Sequence, residues 1–214
     1  MANRPIFIPQ QKNHGVIITP IEFMWHSGMA TSQKQKSIHS LHEKAMQKGC
    51  VNSLLEISTK STHELGKKTS AFTLSIETSK GVFPLECVYH ASKIFPVVGL
   101  QESWMYLTVR EAKKQSQQYQ EKYGKPIGSS FEEFIFVGQS YQLGFTYMYF
   151  QSLKRLSDDE RTSLCSFGAF TDINYLPEKG GNCQAHAAAL FVSFVRNGID
   201  SPWEIDPDTL EEYL

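Results

Sequence analysis

Segments with strand character and segments with helix character follow one another irregularly along this chain of 214 residues, and this mixture constrains the fold most. Val16–Phe23 is β-branched and apolar, and Pro20 within it favours an edge strand. Residues 54–60 and 69–78 also have strand patterns, and the second alternates apolar with small polar side chains. Because these segments do not form strict β-α-β units with the helices, they predict an α+β fold.

Helical periodicity is clear in several places. Ser32 and Gln35 match a capping box ahead of a helix that would place Ile38, Leu41 and Ala45 on one face. Further helices are predicted after Pro84, over residues 102–123, over 141–156, from a second capping box at 157–160, and over 185–196. A chain of this length and pattern is expected to build one sizeable core, predominantly helical around a small sheet.

Composition excludes several classes of protein. No apolar run approaches the roughly 20 residues that cross a bilayer, and the first residues lack the pattern of a secretory signal. Four scattered cysteines are expected to be reduced thiols of a cytoplasmic protein. Residues 1–126 contain 16 Lys and Arg against 9 Asp and Glu, a balance of +7, and residues 127–214 have a balance of −8. A basic half is typical of proteins that bind phosphate-rich ligands, although two halves that attract each other would give the same pattern.

The stretch after Pro84 contains the strongest chemical signal. On one helix, Glu86 and Lys93 would project from the same side, about 10 Å apart along the axis, with Tyr89 between them. That spacing is too long for an i,i+4 ion pair, so the two charges can bracket a small ligand. The alternative is structural, because a carboxylate in a first turn is stabilised by the helix dipole and Lys93 can be an ordinary solvated lysine.

Three weaker signals remain open. The loop GGNCQ at residues 180–184 precedes a helix, so its backbone N–H groups can bind an anion, or it is a plain glycine loop. It matches neither a Walker A nor a Rossmann motif. His39 and His42 lack a nearby carboxylate or cysteine and are interpreted as surface residues. Trp25 can stack on a base or belong to the core.

Several blocks resemble one family. Residues 83–95 resemble the Pro/Glu/Tyr/Lys helix of the NADAR (YbiA-like) superfamily, and TSAF at 69–72 stands where that family has an L-S-N-F strand. Five further blocks resemble the NADAR antitoxins encoded beside DarT toxins: RPIFIP at 4–9, the segment 25–38, LEISTKS at 55–61, FTDI at 170–173 and NCQA at 182–185. The resemblance extends from about Arg4 to Gly198.

This resemblance implies the NADAR fold as a single domain over residues 1–214, with 1–50 as an N-terminal extension and 199–214 as an acidic tail. It implies an N-glycosidase that removes ADP-ribose from guanine bases in DNA and acts as the antitoxin of a DarT-type toxin in the bacterial cytoplasm. We expect neither a cofactor nor a metal. The alternatives are a non-catalytic module that binds NAD or ADP-ribose, and an antitoxin that blocks its toxin by direct contact.

The implied reaction gives roles to residues at the matching positions. Glu86 is the expected proton-transfer group, Lys93 a phosphate clamp or an amine nucleophile, and Tyr89 orients Glu86 or stacks on the sugar. Asp172 is expected to contact a ribose diol. The other expected contacts to substrate or DNA are Trp25, Gln33, Lys34, Ser70, Phe72, Gly181, Asn182 and Gln184. Two departures from the superfamily pattern are Ala71, which replaces an Asn, and residues 173–175, which replace a Trp-Gly pair.

Overall fold

A computed structural model describes residues 1–138, 141–179 and 183–214. In chain order its elements are β1 (Ala2–Pro9), β2 (Val16–Phe23), α1 (Thr31–Gln47), β3 (Leu54–Glu56), α2 (Glu64–Lys68), β4 (Ser75–Thr78), β5 (Gly81–Pro84), α3 (Leu85–Ala91), β6 (Lys93–Ile94), α4 (Val109–Tyr123), β7 (Gly128–Phe131), β8 (Phe134–Val137), α5 (Tyr141–Leu153), α6 (Asp158–Ser166), β9 (Ala169–Thr171), α7 (Gln184–Arg196) and α8 (Pro207–Glu211). The predicted α+β class, with many helices and small sheets, is confirmed.

The chain divides into two compact units, which we describe separately. Unit 1 comprises Met1–Ser70 and Leu156–Pro202, and unit 2 comprises Ala71–Arg155 and Trp203–Leu214. The assignment of residues 1–50 as an extension and 199–214 as a tail of one domain stays a prediction. Within the described ranges, none of the helices has both the length and the apolar character that crossing a bilayer requires.

A four-stranded sheet with the order β2-β1-β9-β3 organises unit 1. β2 has the predicted bounds and lies at the sheet edge, as Pro20 indicated, since proline cannot donate a ladder hydrogen bond. α1 buries the predicted face of Ile38, Leu41 and Ala45 in the core beside the sheet. The predicted capping box at Ser32 is wrong, because Ser32 already lies inside the helix, the N-cap residue is Ala30, and no side chain caps it.

α7 is the buried helix of unit 1. Every side chain from Gln184 to Phe194 is buried, and its alanines let the helix backbone approach the sheet closely. Ser193 of α7 binds the connection between β1 and β2. Its Oγ accepts a hydrogen bond from the N–H of Gly15 and donates one to the carbonyl of Gln10, each at 3.1 Å. The sheet and α7 therefore pack directly against each other in unit 1.

In unit 2, α3 is buried along its whole length. The β4–β5 hairpin precedes α3 and turns at residues 79–80 as predicted, where Gly81 has a φ of 128° that favours glycine. A second small sheet with the order β6-β7-β8 follows it. Both ends of α3 therefore continue directly into strands.

Two segments differ from the sequence predictions. Residues 69–74 are not a strand, because Thr69 ends α2 and β4 begins only at Ser75. Residues 102–123 are not one helix but a 3₁₀ turn, Glu102–Tyr106, followed by α4. Thr108 and Glu111 form a capping box that starts α4 separately.

Candidate active site

Lys93 lies on a strand and not on the helix of Glu86. α3 ends at Ala91, where the N–H of Ser92 donates to the carbonyl of Val88 at 2.8 Å. Lys93 then opens β6 and pairs with Ser129 of β7. The prediction that Glu86 and Lys93 project from one continuous helix is therefore wrong, because pairing with β7 ends the helix before Lys93.

The strand nevertheless returns the amine of Lys93 to the side chains of α3. The side chain is buried, and Nζ lies 2.9 Å from Nδ1 of His90 and 4.5 Å from the ring centre of Tyr89. Nζ also donates to Oγ of Ser116, on α4, at 3.1 Å. The other ring nitrogen of His90, Nε2, lies 3.5 Å from Oε2 of Glu86. The amine and the imidazole are therefore hydrogen-bonded, and the carboxylate is in contact with the far side of the imidazole without a hydrogen bond to it.

Burial determines the protonation states of these side chains. It lowers the pKa of Lys93 to about 8; the carboxylate of Glu86 opposes this shift and the charge of Lys113 adds to it. Burial, with the charges of Lys93 and Lys113, lowers the pKa of His90 to about 2, so the imidazole is neutral at neutral pH. A neutral His90 with its proton on Nε2 would direct that proton toward Glu86 and accept from Lys93 through Nδ1.

Sequence reasoning found Glu86, Tyr89 and Lys93 but missed His90 and Ser116. A signal for His90 was present, because it stands four residues after Glu86, the spacing at which helical side chains meet. Ser116 gave no signal, since it lies within a polar helix whose contact with Lys93 depends on tertiary packing. Phe72 is also in unit 2, 41% exposed, with Nζ of Lys113 at 5.1 Å from its ring centre.

Three predicted substrate contacts meet in unit 1. Gln184, the first residue of α7, donates from Nε2 to Oδ2 of Asp172 at 2.9 Å. Its Oε1 accepts from Oγ of the buried Ser70 at 3.4 Å. Burial raises the pKa of Asp172, against the effect of its hydrogen bonds from Gln184 and the backbone. The structure therefore joins Ser70, Gln184 and Asp172 in one hydrogen-bonded chain.

Glu56, the last residue of β3, lies close enough to Asp172 for their charges to interact, and it was not predicted as a site residue. Its carboxylate accepts from Oγ1 of Thr171 at 2.6 Å and from the N–H of Ile173 at 2.9 Å, so it holds the residues on both sides of Asp172. Burial and the charge of Asp172 raise the pKa of Glu56 well above its usual range. Gly66 permits this packing, because a Cβ there would lie 2.1 Å from the carbonyl oxygen of Glu56.

Trp25 and Lys34 form a second polar cluster in unit 1. Nζ of Lys34 lies 4.4 Å from a ring centre of Trp25, and the guanidinium carbon of Arg4 lies 5.3 Å from it. Arg4 donates from Nε to the carbonyl of Ile173 at 3.3 Å, and its charge interacts with that of Asp172. Trp25 also packs on the core. Gln33 lies near the start of α1, where its side chain is beside Gly28.

The remaining predictions concern the glycine loop, two histidines and metal binding, and each has a separate outcome. Gly181 and Asn182 lie outside the described residues. His39 is exposed, as interpreted; His42 is half-buried, and its Nε2 lies 2.8 Å from Oγ1 of Thr171, where burial lowers its pKa to about 4. Across the described part of the chain, no three His, Cys, Asp or Glu side chains cluster as metal ligands would. Independence from metals stays a prediction.

These features define an α+β protein with two buried groups of polar and ionisable side chains in close contact, one in each unit. The profile of the family described as DarT1-associated NADAR antitoxin matches residues 2–205. The chain therefore belongs to the DarT1-associated NADAR antitoxins. No curated protein matches the sequence.

Proposed function

We propose that this antitoxin is a hydrolase that cleaves the N-glycosidic bond between C1 of the distal ribose of ADP-ribose and a guanine nitrogen in DNA. Its substrate would be the product of a DarT1-type toxin, and the family membership supports that partner. The observation that carries the proposal is the buried amine of Lys93, which contacts His90 at 2.9 Å in series with the carboxylate of Glu86. A buried lysine with a lowered pKa is typical of an amine nucleophile.

The reaction proceeds through a covalent intermediate. The ribose ring oxygen gains a proton, the bond from C1 to that oxygen breaks, and the guanine nitrogen loses a proton, so C1 becomes an imine carbon. The neutral amine of Lys93 adds to C1 and transfers its two protons to the departing guanine amine, which leaves a Schiff base between Lys93 and the sugar. Water then adds to C1, releases ADP-ribose as the aldehyde and restores the amine.

Glu86 and His90 divide the supporting roles. The carboxylate of Glu86 accepts and returns the protons that move between ring oxygen, nucleophile and leaving group. His90 is a positioning residue, because a neutral Nδ1 accepts a hydrogen bond from Nζ and directs the amine. Its pKa of about 2 makes it a poor proton acceptor from Lys93. The ring of Tyr89, whose centre lies 4.5 Å from Nζ, packs over the amine.

In unit 1, we assign the chain from Ser70 through Gln184 to Asp172 to ribose hydroxyl groups. A carboxylate oxygen accepts from both hydroxyls of a diol, and the amide of Gln184 fixes its orientation by donating to Oδ2. Glu56 positions Asp172 through the backbone N–H of Ile173 and the side chain of Thr171.

The decisive assay incubates the protein with an oligonucleotide that carries ADP-ribosylated guanine and measures free ADP-ribose. Wild type is expected to release it. Lys93→Met and Lys93→Arg are both expected to lose activity by roughly three orders of magnitude or more, because neither can form a Schiff base. Glu86→Gln is expected to lose at least about 100-fold. Lys80→Ala, which removes an exposed ion pair with Glu102 in the same unit, is the matched control and should resemble wild type.

Borohydride trapping distinguishes a Lys93 that acts as a nucleophile from a Lys93 that only binds phosphate. Borohydride added during turnover is expected to reduce the Schiff base, and mass spectrometry should find the sugar adduct on the peptide that contains Lys93. If Lys93→Arg is active and the wild type gives no trapped adduct, the nucleophilic role of Lys93 is contradicted and a role as a phosphate clamp is favoured. A wild-type protein that binds ADP-ribose or the toxin but releases no ADP-ribose would refute the hydrolase proposal itself.

A further inference from the structure

An open groove on unit 2 lies outside the series of Glu86, His90 and Lys93. It has a volume of about 460 Å³ and runs between one exposed aromatic ring and the first half of α4. Its lining side chains are Phe72, Val109, Arg110, Lys113, Lys114 and Gln117. Three of the six carry a positive charge and none carries a negative one. The groove is therefore a basic surface with an aromatic ring at one side.

The nearest acid in the sequence does not neutralise this surface. Glu111 is turned toward the start of α4, where its Oε2 accepts from the N–H and the hydroxyl of Thr108 at 3.0 and 2.6 Å. The two residues Arg110 and Lys114 stand four apart on α4, about 6 Å along the helix axis and on one face. Two cations at that separation can each contact a phosphate of one extended strand.

The aromatic ring gives the groove its second recognition element. Phe72 is 41% exposed, which is unusual for a phenylalanine, and Nζ of Lys113 lies 5.1 Å from its ring centre. Exposed aromatic rings beside lysine and arginine are typical of surfaces that bind single-stranded nucleic acid, because bases stack on the ring while phosphates contact the cations. A peptide partner would need a larger apolar surface than one ring and one valine.

The same helix connects the groove to the reactive amine. Ser116, which contacts Nζ of Lys93 at 3.1 Å, lies three residues after Lys113 and beside Gln117 on α4. Lys113 also acts electrostatically on both Lys93 and His90. A strand held in the groove would therefore lie next to the site where the modified base must react.

We propose that Phe72 and the first half of α4 form a binding surface for single-stranded DNA, on which one base stacks against Phe72 and phosphates contact Arg110 and Lys114. The surface would present a flipped or unpaired modified guanine to Lys93. The identity of the bound strand as substrate rests on the proposed function, but binding of DNA does not require hydrolysis.

The first test measures binding of the full chain to a fluorescent, unmodified single-stranded oligonucleotide by anisotropy between 50 and 200 mM salt. Arg110→Glu with Lys114→Glu is expected to weaken binding at least about 10-fold and to reduce the slope of log K against log salt by about 1.4, since each phosphate contact on a single strand contributes about 0.7. Phe72→Ala is expected to weaken binding about 5-fold or more without changing the slope.

The matched control is Lys122→Glu with Lys125→Glu. It makes the same change in charge at the other end of α4, where Lys122 lies about 12 Å along the axis from Lys114, and it should bind as wild type does. If the two double variants bind DNA with the same affinity and slope, the proposed surface is wrong. If Arg110→Glu with Lys114→Glu lowers affinity for a purified DarT1-type toxin but not for DNA, the surface binds protein and the proposal is also wrong.

A second measurement keeps this proposal separate from the hydrolase. In Arg110→Glu with Lys114→Glu, the rate on an ADP-ribosylated oligonucleotide divided by the rate on ADP-ribosylated guanosine should fall at least about 10-fold. A ratio equal to that of wild type would contradict the surface. Wild type that binds DNA with the expected salt slope but hydrolyses neither substrate would refute the proposed function while supporting the surface. Circular dichroism and unfolding midpoints confirm that each variant folds.

Discussion

The pH dependence of hydrolysis follows from the environment of Lys93. In the proposed reaction the neutral amine is the reactive form, and burial lowers its pKa from 10.5 to about 8. At pH 7 about 9% of the amine is then neutral, whereas an exposed lysine would have about 0.03% in that form. The difference is about 300-fold in the concentration of the nucleophile. The turnover rate should therefore rise about tenfold per pH unit up to pH 7 and reach a plateau above pH 9.

Lys113 provides the perturbation that tests this reasoning. Its positive charge lowers the pKa of Lys93, so Lys113→Gln should raise that pKa and move the whole profile to higher pH. The rate at pH 7 should fall while the plateau at high pH stays the same, because the amine itself is intact. Lys122→Gln removes an equal charge from the exposed end of the same helix and should leave the profile in place.

The assay uses ADP-ribosylated guanosine, so that binding of a DNA strand does not enter, and measures kcat between pH 5.5 and 10. Borohydride trapping at the same pH values should follow the same curve. A profile that is flat over this range would refute the account of Lys93 as a nucleophile with a lowered pKa. Equal profiles for Lys113→Gln and Lys122→Gln would show that Lys113 does not act on Lys93.

Three other outcomes are expected. The raised pKa of Glu56 means that the folded state favours its protonated form, so the free energy of unfolding should fall as pH rises from about 4.5 toward the folded pKa, by about 1.4 kcal/mol for each pH unit in that window. Glu56→Gln can still accept from the N–H of Ile173 through Oε1 and can donate from Nε2 to the hydroxyl of Thr171, so it should flatten that dependence in urea titrations. Gly66→Ala should destabilise unit 1 by roughly 1–3 kcal/mol although alanine is the better helix former, since its Cβ would clash with a carbonyl oxygen; equal or higher stability would contradict the packing. Hydrolysis should persist after treatment with EDTA, and a loss that zinc or magnesium restores would contradict metal independence.

Local patterns predicted those elements that depend on neighbouring residues. β2 has the predicted bounds, and Ser157 caps α6 through the predicted capping box with Glu160. α7 begins one residue before its predicted start and ends at Arg196 as predicted. In each case the signal, whether β-branching, a cap or an apolar run, acts within a few residues of the element that it specifies.

Distant pairing decided where the predictions failed. Residues 92–95 continue the helical pattern of α3, but Lys93 pairs with Ser129, 36 residues later, and no local signal shows that pairing. Glu56 was missed for a related reason. A glutamate in a short strand is ordinarily exposed, and only the return of β9 beside β3 places Thr171 and Ile173 against its carboxylate.

The burial of Lys93 is itself an argument for chemistry. A pKa lowered from 10.5 to about 8 corresponds to a penalty of about 3 kcal/mol for the charged amine in the folded state. A structural lysine would avoid this penalty by extending its amine to water, as long charged side chains ordinarily do. Here the strand β6 instead directs the amine inward, where His90 and Ser116 contact Nζ and Glu86 opposes the loss of charge. Since an apolar side chain would fill this position at lower cost in stability, the arrangement supports the proposed reaction of the neutral amine.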